Sequence, residues 1–414
     1  MNARRVLPWD RILLPDGVEP AARRVLLARG LRALVDGYMA VLLPAYLLAL
    51  GMSTLQVGIL ATSTLLGSAV ATIAVGVYGH RFHAQRLLST AALLMAATGV
   101  CFAGLSSFWP LLAVAFVGTL NPSAGDVSVF LPLEHARLAS AANGQARTAL
   151  FARYSLAGAL FAALGALAAG VPQALASHGV SELTAFRSMF LLYACVGLLV
   201  WWLYRAPGER GTATAAAGQP AAPLGVSRRM VWRLALLFSV DAFAGGLVVN
   251  ALLSLWLFQR FGLSLAQAGV FFFWAGLLSA VSQLAAPVLA RRIGLLNTMV
   301  FTHIPSSVCL ILAAMAPSLP VALALLLLRS LLSQMGVPTP APSVRAAVPP
   351  PDGPPAASVT AVPRSLAAAV GPALAGALFA AGWISAPLIA CGALKIAYDL
   401  ALWRGFRKKL PNDE

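Results

Sequence analysis

Charged side chains set inside apolar stretches are the places where this sequence could do chemistry. Asp36, Asp126, Asp241 and Arg329 each interrupt a long hydrophobic run. A charge near a bilayer centre costs on the order of 2.5–3.5 kcal/mol on insertion scales, so each must meet a partner, a cavity or a pathway. A desolvated carboxylate can take up and release a proton near neutral pH, which suits it to proton coupling. Asp126 is the first candidate: in Asn121-Pro122-Ser123-Ala124-Gly125-Asp126-Val127-Ser128 the proline removes a backbone donor and the glycine loosens the helix. Asp241 comes second. Asp36 comes third, because it could pair instead with Arg32 one turn earlier. Arg329 does not readily lose its proton, and either holds an anionic substrate group or neutralises Asp126 or Asp241. Lys395 and Asp399, four apart on one helix face, read as a pair that neutralises itself. Arg153 and Tyr154 reach a cavity or gate, or simply pack. Glu134-His135, with Arg137 nearby, reads as a polar cluster closing a loop.

These groups have to be positioned by membrane-spanning helices. Of 414 residues, 60% are hydrophobic and only 10% charged, against about a quarter charged in soluble proteins. Twelve spans of ~20 residues would use most of the chain. The net charge of +16 reads as loop bias and not as nucleic-acid binding, because basic residues accumulate on the cytoplasmic side of membrane proteins. Cys101, Cys195, Cys309 and Cys391 lie in four different apolar stretches and form no disulfide or metal pattern. The polar N-terminal segment does not resemble a cleavable leader.

Apolar runs place helices at roughly 31–50, 55–79, 87–107, 109–131, 144–169, 185–204, 231–258, 265–289, 295–316, 320–336, 357–381 and 384–403. The expected organisation is a cytoplasmic tail (1–30), a six-helix bundle (31–204), a cytoplasmic linker (205–229), a second six-helix bundle (230–403) and a cytoplasmic tail (404–414). The linker is rich in Ala, Gly, Pro and Thr and lacks apolar periodicity. Arginines and lysines crowd the loops on one side, among them Arg81, Arg86, Arg137, Arg291, Arg292 and Arg404, whereas only Arg187 and Arg260 mark the other. Both termini are therefore expected inside. The eight prolines of residues 335–355 suggest a broken end to helix 10 and a rigid loop.

The halves carry a repeat. Gly51, Ser53, Gln56 and Gly58 recur as Gly262, Ser264, Gln267 and Gly269 at an offset of 211, which also maps Arg81 onto Arg292. Twelve helices in two such halves resemble the major facilitator superfamily, a resemblance that covers nearly the whole chain. Its loop signature after helix 2 is G-x-x-x-D-R-x-G-x-R-R. Here Gly76, Arg81 and Arg86 match it, while His80 stands in place of the acid and His83 in place of the second glycine. The resemblance implies an all-α integral membrane fold with a midplane site between parallel halves. It also implies a gating role for Gly76, His80, Arg81 and Arg86, and a cavity lined by helices 1, 4, 7 and 10, the helices that carry Asp36, Asp126, Asp241 and Arg329. Tyr38, Tyr46, Asn250 and Trp274 join Arg153 and Arg329 as candidate cavity-wall or substrate-binding residues. A Gly-Pro pair occurs not in helix 5 but at Gly371-Pro372 in helix 11, where small residues indicate close packing.

No GxSxG elbow, Walker A loop or HExxH motif occurs, so an enzyme is not expected and no cofactor is implied. The expected protein is a monomeric secondary transporter moving a small organic molecule by alternating access, with proton-coupled efflux favoured. Uptake symport of an organic anion or sugar, or a transporter-like sensor or lipid-handling protein, is the alternative. Arginine-rich, lysine-poor and alanine-rich usage points to a bacterial inner membrane.

Overall fold

The computed structural model describes residues 18–19, 21–123, 128–205, 228–334 and 353–406. Fifteen α-helices and no strand occur among them. The first set is α1 (Ala22–Ala49), α2 (Thr54–Tyr78), α3 (Ala84–Gly104), α4 (Phe108–Val117), α5 (Phe130–Ala141), α6 (Gly144–Leu167), α7 (Val171–Ser177) and α8 (Glu182–Arg205). The second is α9 (Arg228–Leu247), α10 (Asn250–Phe261), α11 (Leu265–Ile293), α12 (Leu295–Ala314), α13 (Leu319–Ser333), α14 (Gly353–Ala380) and α15 (Ala386–Phe406). Nine of the described helices are long and apolar enough to cross a membrane, α9 and α10 form one span bent by 41°, and α4 and α13 are shorter apolar helices. These supply the twelve expected segments of an all-α membrane protein.

Two boundaries depart from expectation. Helix 1 begins at Ala22 and not near 31, because Arg29 and Arg32 are buried and compensated inside the fold, so hydropathy alone places the start too late. The expected helix at 109–131 is broken: α4 stops at Val117 and α5 starts at Phe130. Between them, Asn121 Oδ1 accepts from the Ser123 backbone at 3.0 Å and from its hydroxyl at 2.6 Å, a local turn that replaces helical bonding. Asp126 and most of the proline-rich stretch at 335–355 lie outside the described residues, as does most of the linker.

The repeat is realised as the same local structure in both sets. Gly51 (φ +81°) and Gly262 (φ +63°) hold left-handed conformations that a side chain rarely adopts. Ser53 and Gln56 then form a capping box at the start of α2, and Ser264 and Gln267 form the same box at the start of α11. One turn on, Gly58 faces the backbone of α14 and Gly269 that of α6. A Cβ would lie 2.5 Å from the Pro372 carbonyl oxygen in the first case and 2.6 Å from that of Ala166 in the second. The duplicated octapeptide thus starts two helices and lets each approach the opposite set.

Those contacts close one end only. Toward the α1–α2 turn the sets meet closely: Ala373 N donates to Thr62 Oγ1 at 2.9 Å, and Gly170 and Gly276 sit against Ala266 and Ala163. Toward the other end the buried positions of α2 stop at Ala69, and Val77, Tyr78 and Phe82 are more than half exposed. The start of α6 and the end of α11 are exposed as well. The sets therefore touch at the end bearing the α1–α2 turn and part at the end bearing the 79–83 turn. Trp109 and Trp383 project near the closed end, Trp202 and Trp232 near the open one, as aromatic belts do at the two bilayer surfaces.

Within the first set, α1 and α6 cross at Gly37 and Gly165. A Cβ on Gly165 would lie 1.8 Å from the Leu34 carbonyl oxygen, and one on Gly37 would lie 2.1 Å from that of Ala162. Overpacking costs about 1–3 kcal/mol or more, so Gly165→Val should lower the thermal midpoint of the detergent-purified protein by several degrees. Gly405→Ala, where nothing lies within 4 Å, should leave it unchanged.

Candidate functional site

Each set holds a polar cluster among its own helices. In the first set, the carboxylate of Glu134 on α5 is fully buried. Arg32 Nη2 of α1 donates to it at 2.5 Å, Tyr154 Oη of α6 donates at 2.5 Å, and the Tyr204 hydroxyl of α8 donates to its other oxygen. The guanidinium of Arg32 also lies 4.0 Å over the Phe130 ring, and that of Arg29 lies 5.1 Å over Tyr154. Four helices therefore converge on one carboxylate. Asp36, buried one turn along α1, sits in the field of Arg32 and Arg29. The alternative of an Arg32–Asp36 pair is not realised: Arg32 is engaged by Glu134, which is the hub of the cluster and not a loop closure. The available signal was a lone glutamate directly after the apolar run Phe130-Leu131-Pro132-Leu133.

Two expected cavity residues belong to the packing of this set instead. Tyr38 is buried with its hydroxyl donating to the Met189 carbonyl at 3.0 Å, and Tyr46 donates to that of Phe102 at 2.6 Å. Both rings face α3 and α8 because each hydroxyl finds a backbone acceptor there. Trp274 is not part of this packing. It is about half exposed, on a stripe of α11 shared with Val270, Val281, Leu284 and Val288.

In the second set, Lys395 Nζ of α15 lies 2.6 Å from Asp241 Oδ1 of α9, each side chain about a quarter exposed (25% and 26%). Asp399 is fully buried on α15, and its nearest charged partner is His303 Nδ1 of α12 at 3.7 Å. The expected mutual neutralisation of Lys395 and Asp399 is therefore wrong, because each turns to a different neighbouring helix. Arg329 on α13 has no carboxylate partner among the described residues. Its charge is felt by the thiols of Cys309 and Cys391, and Ser306 Oγ donates to its backbone carbonyl at 3.3 Å. Asp241 is taken by Lys395, so Arg329 does not neutralise it.

The broken helices meet across the interface: Ala251 N at the start of α10 donates to the Pro122 carbonyl at 2.9 Å. Asn250 is the first residue of α10, beside this contact, and Arg153 is half-buried on α6. In the expected gating loop, Gly76 meets nothing within 4 Å, Arg86 is exposed, and exposed Arg81 lies 5.5 Å over its neighbour Tyr78. His80 lies in the turn Gly79–Arg81.

Comparisons with known proteins agree with this architecture. The family model described as Major Facilitator Superfamily matches residues 25–340. An uncharacterized membrane protein of Saccharomyces cerevisiae, YJR124C, is 25% identical over 406 residues, covering 90% of this chain and 91% of that protein. Among solved structures, the nucleoside transporter NupG superposes with a TM-score of 0.70 at 14% identity, covering 94% of this chain and all (100%) of that one. The xylose transporter XylE from E. coli, in an inward-open conformation, superposes with a TM-score of 0.69 at 17% identity, covering 94% and 96%.

Proposed function

Because this chain belongs to the Major Facilitator Superfamily and is a multi-pass membrane transporter, we propose that it exports a small organic anion, bound at Arg329 and driven by protons. The observation that carries the reading is a guanidinium that no acid among the described residues neutralises. Every acidic side chain described inside the second set faces some other base, Asp241 facing Lys395 and Asp399 facing His303. An unpaired cation at membrane depth is costly, and a substrate carboxylate or phosphate would supply the missing bidentate partner.

Orientation supports the direction. The parted end carries Arg81, Arg86, Arg291 and Arg292, so the positive-inside rule makes it cytoplasmic and gives the substrate access from inside. Each unit charge moved across 100 mV is worth about 2.3 kcal/mol, so an inside-negative potential drives an anion outward and a proton inward. The halves at 31–204 and 230–403 rock about the glycine contacts, and Asp241 and Asp36 lie on the helices that line the space between them. Gly76, His80, Arg81 and Arg86 would close the cytoplasmic end when it narrows.

The test is a thermal-shift screen of purified protein against panels of organic anions, cations and sugars, with Arg329→Gln beside the parent. Anions should stabilise the parent, and their half-saturating concentration should rise at least tenfold in Arg329→Gln, about 1.4 kcal/mol. Equal anion shifts in both proteins would remove Arg329 from the site, and stabilisation by sugars or cations alone would give the wrong substrate class.

A further inference from the structure

Asp399 is a buried acid that the transport reading has not used. Neither carboxylate oxygen has a hydrogen-bond donor among the described residues, and its side chain is 1% exposed. The nearest base, His303, is 23% exposed, so the imidazole connects the buried acid to more open surroundings. Around Asp399 stand His303 from α12, Asp241 from α9 and, one turn away on α15, Lys395. Arg364 of α14 acts on the neighbouring Tyr398 and on Asp241.

A carboxylate with no donor on either oxygen and Asp241 for a neighbour is poorly compensated as an anion. As a neutral acid it removes one buried charge and can donate its proton across the gap to His303. We propose that Asp399 and His303 form the carrier of the transported proton. A proton from water on the open side binds the imidazole; the N–H bond then breaks as the Asp399 O–H bond forms, leaving neutral histidine and neutral acid. Release runs the same transfers in reverse, and no electrons change hands.

The pair is placed to couple. Lys395 lies four residues before Asp399 on the same helix face. When Asp399 is protonated, Lys395 stays on Asp241, as observed at 2.6 Å. When Asp399 is ionised, the lysine has a second, unneutralised carboxylate one turn away, and α9 loses its tie to α15. Because α9 leads directly into the bend at Asn250, where Ala251 holds Pro122 of the other half, loss of that tie reaches a contact between the halves.

This inference rests on the proton-driven reading, and infrared difference spectroscopy of the substrate-free protein in liposomes separates the two. Stepping the pH should reveal a carboxylic-acid carbonyl band that titrates. Asp399→Asn should abolish it, Asp241→Asn should keep it, and His303→Gln should keep it while shifting its midpoint by about a pH unit or more. Absence of a titrating band in the parent overturns the proposal whatever the variants do. A band that survives Asp399→Asn, or a midpoint that ignores His303→Gln, overturns it too. The anion screen at Arg329 reads the transport site independently, so an intact anion shift with no band would reject the carrier and keep the substrate site.

Discussion

Glu134→Ala should cost about 3–5 kcal/mol, because it removes one partner of a buried ion pair and leaves Arg32 uncompensated. The loss extends beyond the pair. Tyr154 and Tyr204 also donate to this carboxylate, and a buried hydroxyl without an acceptor costs about 1–3 kcal/mol more. Four helices of the first set would lose their common contact, and little folded protein should survive purification. Glu134→Gln keeps an acceptor for one tyrosine but not the charge, so it should fall between the parent and Glu134→Ala. Pairing Glu134→Gln with Arg32→Met removes both charges, and stability should recover by at least half, measured as the thermal midpoint in detergent. A double variant no better than the worse single would show that the charges do not act as a pair. Arg32 is also packed 4.0 Å over Phe130, so full recovery is not expected.

Blocking closure at the glycine contacts should redirect the conformational equilibrium without unfolding either set. Gly58 meets the Pro372 carbonyl, with Gly376 Cα 2.9 Å from an added Cβ, and Gly269 meets the Ala166 carbonyl. These neighbours are backbone atoms and cannot rotate away, so Gly58→Val and Gly269→Val should keep the sets apart at the end that is now closed. Each set's own helix contacts are untouched there. A shallow, open depression of about 310 Å³ lined by Ala45, Leu48, Ala49, Glu182, Phe258, Leu263 and Leu265 lies at that end. In a background lacking the native cysteines, Ala45→Cys should therefore react with a membrane-impermeant maleimide at least tenfold faster when Gly58→Val is added, a shift of about 1.4 kcal/mol. The Gly405→Ala control should leave the rate unchanged. Unaltered labelling in both valine variants would mean that the glycines do not set the closed end.

The architecture was legible because each of its signals is local. Twelve apolar runs, a repeat whose Ser and Gln belong to capping boxes, and glycines where φ is positive all act within a turn or two of the chain. The interruption of helix 4 was not foreseen as a break: Pro122 and Gly125 marked a loosened segment, but the apolar run through 109–131 read as one helix. The start of helix 1 was less legible, since Arg29 and Arg32 look like tail residues until their partners are known.

Which charge meets which was decided by the tertiary structure. Spacing of four suggested Arg32 with Asp36 and Lys395 with Asp399, and each is a possible pair on a single helix. The fold instead joins Arg32 to Glu134, 102 residues away, and Lys395 to Asp241, 154 residues away. Likewise Tyr38 and Tyr46 bear the groups a cavity wall needs, but helix packing turns them toward backbone acceptors on α8 and α3. A sequence by itself states which groups can interact along one helix, because helical geometry is the same everywhere. The rotation of that helix depends on the volumes and polar groups of all its neighbours together, and only the assembled bundle determines that Arg329 meets no carboxylate among the described residues.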